Sequence, residues 1–146
     1  MLALIQRVTE ARVDVDGEIV GAIGPGLLAL VGIQPRDGAV EVARMRERLF
    51  GYRIFDDADG RMNRSLLQSG GRLLLVSQFT LAADTSSGMR PGFSTAAPPA
   101  EAERIFGELV AACRQTLPAG VETGRFGAHM LVSLANDGPA TFLLQA

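Results

Sequence analysis

Lysine and tryptophan are absent from this chain of 146 residues, and His129, Cys113 and Tyr52 are the only residues of their kinds. All fourteen basic residues are therefore arginines. The absence of lysine excludes a Schiff base, a pyridoxal-type anchor and the lysine of a nucleotide phosphate loop. A single cysteine and a single histidine cannot form a Cys/His zinc cluster. One cysteine also allows no intrachain disulfide, so nothing points to an oxidising compartment. A Ser-His-Asp triad would have to use His129. Long apolar runs are missing too. The longest, Ala22 to Ile33, is interrupted by Gly24, Pro25 and Gly26 and is too short to span a bilayer. The opening Met1 to Ile5 meets Gln6 and Arg7 at once and does not read as a signal peptide. The expectation is a cytoplasmic protein with no membrane partner and no cofactor.

The length suits one domain, residues 1–146, with about two-thirds of the unfolded surface buried on folding. Sixteen acidic residues against fourteen basic ones give a net charge of -2. That balance does not suggest a general polyanion binder and leaves local arginine clusters as the means of meeting phosphates. Residues 2–33 read as strands, with Asp16-Gly17 as a two-residue hairpin turn and Gly26 to Ile33 as a fully buried strand. Asp37 is placed to cap a helix whose Val42, Met45, Leu49 and Tyr52 share one face and which Gly51 stops. Residues 56–71 read as turns or a loop. Leu73 to Val76 form a second short buried strand, and residues 84–99 a polar loop. A second helix follows Pro98-Pro99, with Ala102, Ile105, Leu109, Cys113 and Leu117 as its apolar stripe and Pro118 and Gly120 as its stop. Met130 to Leu134 is a strand, Asn136 to Pro139 a turn, and Ala140 to Leu144 a closing strand. The expected fold is α+β, a mostly antiparallel sheet or open barrel with two packed helices.

Two segments carry candidate chemistry. Ser77-Gln78-Phe79-Thr80 sets three polar side chains just past an apolar strand, where backbone N–H groups, hydroxyls and an amide could bind a carbonyl or oxyanion. The same pattern also fits a plain strand edge. Asn136-Asp137-Gly138-Pro139 fits an ordinary hairpin turn. The turn is the better reading from chemistry alone; the alternative is a stiff tip, because Gly138 allows close backbone approach and Pro139 permits a cis bond. His129 reads as a structural or solvent-facing side chain, and Cys113 as core. Asp56 to Gly60 lacks the full calcium-loop ligand pattern and reads as a solvated turn. Arg7, on the first strand, suits either a carboxylate partner or a phosphate.

Across those two segments the sequence resembles the D-aminoacyl-tRNA deacylases, which free tRNA from D-amino acids. The likeness rests on Ser77-Gln78-Phe79-Thr80-Leu81 and on Asn136-Asp137-Gly138-Pro139 followed by Ala140-Thr141-Phe142. It extends through Ile5-Gln6-Arg7-Val8, Gly88-Met89-Arg90-Pro91 and Gly124 to Ala128. The resemblance implies a homodimer acting on the acceptor end of D-aminoacyl-tRNA. A cis Gly138-Pro139 tip would enter the partner's site, hold the substrate amino group by its carbonyls and exclude the L-side chain. Charged glycine, having no side chain, would be a further substrate. Ser77, Gln78, Phe79 and Thr80 would form the facing catalytic wall. Phe126 and Met130 would form the adenosine pocket, with Arg7 grouped beside them. Two residues depart from the family pattern: His129 where an acid is common, and Ala140 where a larger apolar residue is common.

Ester hydrolysis could then proceed with Thr80 as nucleophile. Alternatively, backbone N–H groups near Phe79 and Thr80 could hold the oxyanion while the ribose 2′-hydroxyl assists water. The second is preferred, because no base for Thr80 stands near it in sequence. The rival from another class is a non-enzymatic nucleic-acid-binding dimer built on the same fold.

Overall fold

The structure is a computed structural model that describes residues 1–117 and 120–146. Its longest pairing joins β1 (Leu2–Val15) to β8 (Leu131–Gln145), antiparallel along nearly their whole lengths. The other edge of β1 takes two partners. Its first half pairs with β3 (Gly26–Gly32) and its second half with β2 (Glu18–Ile23), both antiparallel. The β1–β2 hairpin turns at Asp16 (φ 52°) and Gly17 (φ 82°), the paired positive angles of a type I′ turn. From β3 the sheet continues in parallel through β6 (Arg72–Ser77) to β7 (Val121–Thr123). β7 returns against β2, so the sheet is mixed and nearly closed.

The expected α+β single domain is present, with the sheet mixed rather than mostly antiparallel. The parallel pairs arise because helical crossovers connect β3 to β6 and β6 to β7. The first crossover carries α1 (Ala39–Gly51), the small hairpin β4 (Phe55–Asp56) and β5 (Met62–Arg64), and the one-turn α2 (Leu66–Ser69). The stretch expected as loop, residues 56–71, therefore holds short elements that lack apolar periodicity. The second crossover carries α3 (Pro99–Thr116). Among the described residues three α-helices stand where two were expected; the third is the short α2. No helix among the described residues is long and apolar enough to cross a membrane.

Alternation explains the packing. On β3 and β6, Leu27, Ala29, Val31, Leu73 and Leu75 face α1 and α3, while Leu28, Leu74 and Val76 face the inside of the rolled sheet. Both strands are covered on both faces, which is why they read as continuous apolar runs. Val42, Met45 and Leu49 of α1 enter the core as the periodicity predicts, joined by Phe50. Tyr52 lies past the helix end, exposed, with its ring against Phe142. The α1 cap is Gly38, not Asp37: Glu41 reaches back to accept the Gly38 N–H at 2.9 Å. Asp37 is instead buried, accepting the Gln34 backbone N–H at 2.7 Å and pairing with the Met1 amino group. Cys113 is core, and burial pushes its thiol up to about 12. The predicted stop at Pro118 lies outside the described residues; α3 ends at Thr116.

Asn136 to Pro139 does not form a hairpin turn. The chain keeps its direction, and both flanks belong to the one strand β8. Gln6 pairs with Thr141 and Val8 with Asn136, so Arg7 alone faces the four residues Asp137 to Ala140. The surplus residues leave the ladder as an outward bulge. The turn-forming composition was legible, but a bulge and a turn draw on the same residues.

Candidate functional site

β6 ends at Ser77, beside its parallel neighbour β3, and the chain tightens at once into a 3₁₀ turn over Phe79–Ala82. The carboxyl end of a buried strand thus delivers Ser77, Gln78 and Phe79 to the surface. The turn is held at its base, where the Gln78 N–H donates to the Val31 carbonyl at 2.8 Å. As the first residues of a 3₁₀ turn, Phe79 and Thr80 direct backbone N–H groups away from its internal bonds. The Gln78 amide donates to the Thr80 hydroxyl. The side chains of Phe79 and Thr80 are exposed, with the Phe79 ring 5.2 Å from that of Phe93.

This edge borders a cavity of about 430 Å³. Ser77, Gln78 and Phe79 form one wall, and Phe126, His129 and Met130 the opposite one. The start of α3 closes the end. The Phe126 ring is set against Phe106 of α3, and Met130 packs on the apolar interior of the rolled sheet. Five of the expected site residues therefore meet in one place. Thr80 does not line the cavity, and neither do Arg7, Gly138 and Pro139. His129 is exposed and borders the cavity between the expected pocket residues Phe126 and Met130, although its own side chain was assigned no part in the site. It is the one titratable side chain among the lining residues.

Arg7, Gly138 and Pro139 form a second cluster. The Arg7 side chain is buried beneath the β8 bulge. Its Nε donates to the Asp137 carbonyl at 2.8 Å and pairs with the Asp137 carboxylate at 3.1 Å. Its Nη1 donates to the Ile54 carbonyl at 2.7 Å and to Asp56 Oδ1 at 3.1 Å. Asn136 completes the frame: its amide nitrogen donates to the carbonyls of Arg7 (2.9 Å) and Ala140 (3.3 Å). Sequence marked Asn136 as a turn former and as part of a resemblance motif, but assigned its side chain no role. Gly138 and Pro139 stand exposed at the tip, joined by a cis bond, while Ala140 is buried at its base. A Cβ on Gly138 would meet Asn136 Oδ1 at 2.4 Å and the Ala140 nitrogen at 2.7 Å, so only glycine fits this bulge.

The same fold occurs in a solved structure named c-Myc DNA Unwinding Element Binding Protein, with a TM-score of 0.96 and 37% identity over 100% of this chain and 99% of that one. A second, described as a structural analysis of a probable eukaryotic D-amino acid tRNA deacylase, matches 99% of this chain and 98% of that one with a TM-score of 0.85. At 15% identity, that match concerns the fold alone. The model of the family described as D-Tyr-tRNA(Tyr) deacylase matches residues 4–145. Proteins named D-aminoacyl-tRNA deacylase from Xanthomonas campestris pv. campestris and Stenotrophomonas maltophilia are 69% and 68% identical, each over 99% of both chains. The chain belongs to the D-Tyr-tRNA(Tyr) deacylase family.

Proposed function

We propose that the protein hydrolyses the ester bond of D-aminoacyl-tRNA, releasing tRNA and the D-amino acid. The observation that carries this reading is the meeting of Ser77, Gln78 and Phe79 with Phe126 and Met130 around one cavity. Its apolar and aromatic wall suits a nucleobase, and its strand-end wall offers polar groups to an ester. We take the N–H groups of Phe79 and Thr80 as donors to the developing oxyanion, each worth about 3–4 kcal/mol in comparable sites. The cavity wall supplies no carboxylate to activate a nucleophile, and the Thr80 hydroxyl is already bonded to Gln78. The free 2′-hydroxyl of the terminal adenosine then assists the attacking water. This chemistry calls for no cofactor, and its place is the cytoplasm, among aminoacyl-tRNAs.

The tip lies outside its own chain's cavity, and we assign it to the site of a second copy. In a homodimer each Gly138-Pro139 unit would face the partner's cavity and offer backbone carbonyls to the substrate ammonium. That arrangement excludes an L-side chain by contact and leaves charged glycine as an accepted substrate. Release of D-tyrosine from tRNA with the L-ester spared is the expected outcome. A terminal 2′-deoxyadenosine should slow cleavage by about 100-fold or more if the ribose hydroxyl takes part. An unchanged rate on that tRNA rules the hydroxyl out.

The name of the 37% identical structure keeps a second reading in view, a non-enzymatic nucleic-acid-binding dimer. Such a protein would bind tRNA or DNA and cleave neither ester.

A further inference from the structure

His129 stands at the mouth of the cavity, exposed, on the loop that also brings Phe126 and Met130 to the wall. No arginine lines the cavity, and lysine is absent from the chain. His129 is thus the one lining side chain able to carry a positive charge. A nucleobase seated between Phe126 and Met130 would leave its 5′-phosphodiester at the rim. We propose that His129 grips the phosphodiester preceding the terminal adenosine, so that acceptor-end binding tightens as the imidazole takes up a proton. This rests on the proposed deacylase reading and adds to it a specific contact with the tRNA end.

The surroundings leave that charge to His129. On the elements that build the walls, the other charged residues include Arg125 on the same loop, Glu101 and Glu103 at the start of α3, and Asp84 and Arg90 beyond the 3₁₀ turn. None of these lines the cavity. Arg72 and Glu122 are paired with each other at 2.8 Å on β6 and β7. Asp137, which a second copy would bring in beside its tip, is paired with Arg7 at 3.1 Å. Imidazole is the side chain that changes charge between pH 5 and 8. A phosphodiester stays ionised throughout that range, so a change in binding across it reports the protein.

The test compares two probes on the intact protein, adenosine and the dinucleotide cytidylyl-(3′→5′)-adenosine, by titration calorimetry at pH 8 and pH 5.5. Adenosine reports the base site, and the ratio of the two affinities reports the phosphate. In the wild type the ratio should rise about three- to fivefold on acidification, the size of a partly exposed charge-assisted contact. His129→Gln should hold the ratio flat and low. His129→Arg should hold it flat and high, a restoration that a structural role for the imidazole would not give. A wild-type ratio that does not change with pH overturns the proposal. So does an unchanged rise in His129→Gln. If adenosine itself fails to bind, the base site falls with it, whereas adenosine binding with a flat ratio removes only the histidine contact.

Discussion

The strand-end wall and the β8 tip solve opposite problems. Ser77 to Phe79 border a cavity and, with Thr80 beside them, are lightly held, the side chains of Phe79 and Thr80 exposed and their backbone donors facing outward. Asn136 to Ala140 border no cavity of their own chain and are heavily held, by a buried arginine, an asparagine amide and a glycine that admits no side chain. A tip fixed this firmly but projecting outward is built to meet something, and an open cavity is built to receive. The proposed homodimer satisfies both, with each copy supplying a rigid selector to the other's binding site.

Gly138→Ala should have the largest effect. The added methyl displaces Asn136 or the backbone of Ala140, and a shift near 1 Å costs about 100-fold in kcat/KM for D-tyrosyl-tRNA. A folded variant with near-native activity would mean that the tip's geometry is not used. Arg7→Ala should come next. It leaves the Ile54 and Asp137 carbonyls and the nearby carboxylates without their buried partner. The expected loss is about 2–4 kcal/mol in urea unfolding, with activity falling through the tip. Thr80→Ala, on the lightly held side, should keep kcat within about tenfold. A loss of about 10⁴-fold or more, the scale of a deleted nucleophile, would restore Thr80 as the attacking group. Asp56→Asn should do least, about 0–1 kcal/mol, because that carboxylate is half exposed and Arg7 keeps its other acceptors. A large effect there would extend the tip's support to the β4–β5 hairpin.

Sequence patterning disclosed much of this frame. The hairpin at Asp16-Gly17, the buried strands and the two long helices follow from turn chemistry and periodicity. The parallel order of β3, β6 and β7 does not, because an apolar run buried on both faces does not state its neighbour's direction. The strand-end segment was visible as polar residues placed after Leu73 to Val76. The Gly138-Pro139 tip was legible but the bulge that carries it was not, because its register depends on β1, some 130 residues away. Arg7 shows the same limit. Its charge was evident, yet its partners at Ile54, Asp56 and Asp137 come from distant stretches that no local pattern joins. His129 looked incidental because its own side chain belongs to no motif, although its neighbours Phe126 and Met130 stand in the expected pocket.

The central claim is that one working site combines the cavity of one copy with the tip of another. Two damaged variants test it when mixed: Gly138→Ala, which spoils only the tip, and Met130→Trp, which fills only the cavity wall. Each homodimer should keep no more than about a hundredth of wild-type activity against D-tyrosyl-tRNA. After subunit exchange, half the dimers would be mixed and each would hold one intact site, so activity should return to about a quarter of wild type. No recovery, despite exchange verified by mass spectrometry, would place both parts of the site in the same chain and contradict the account.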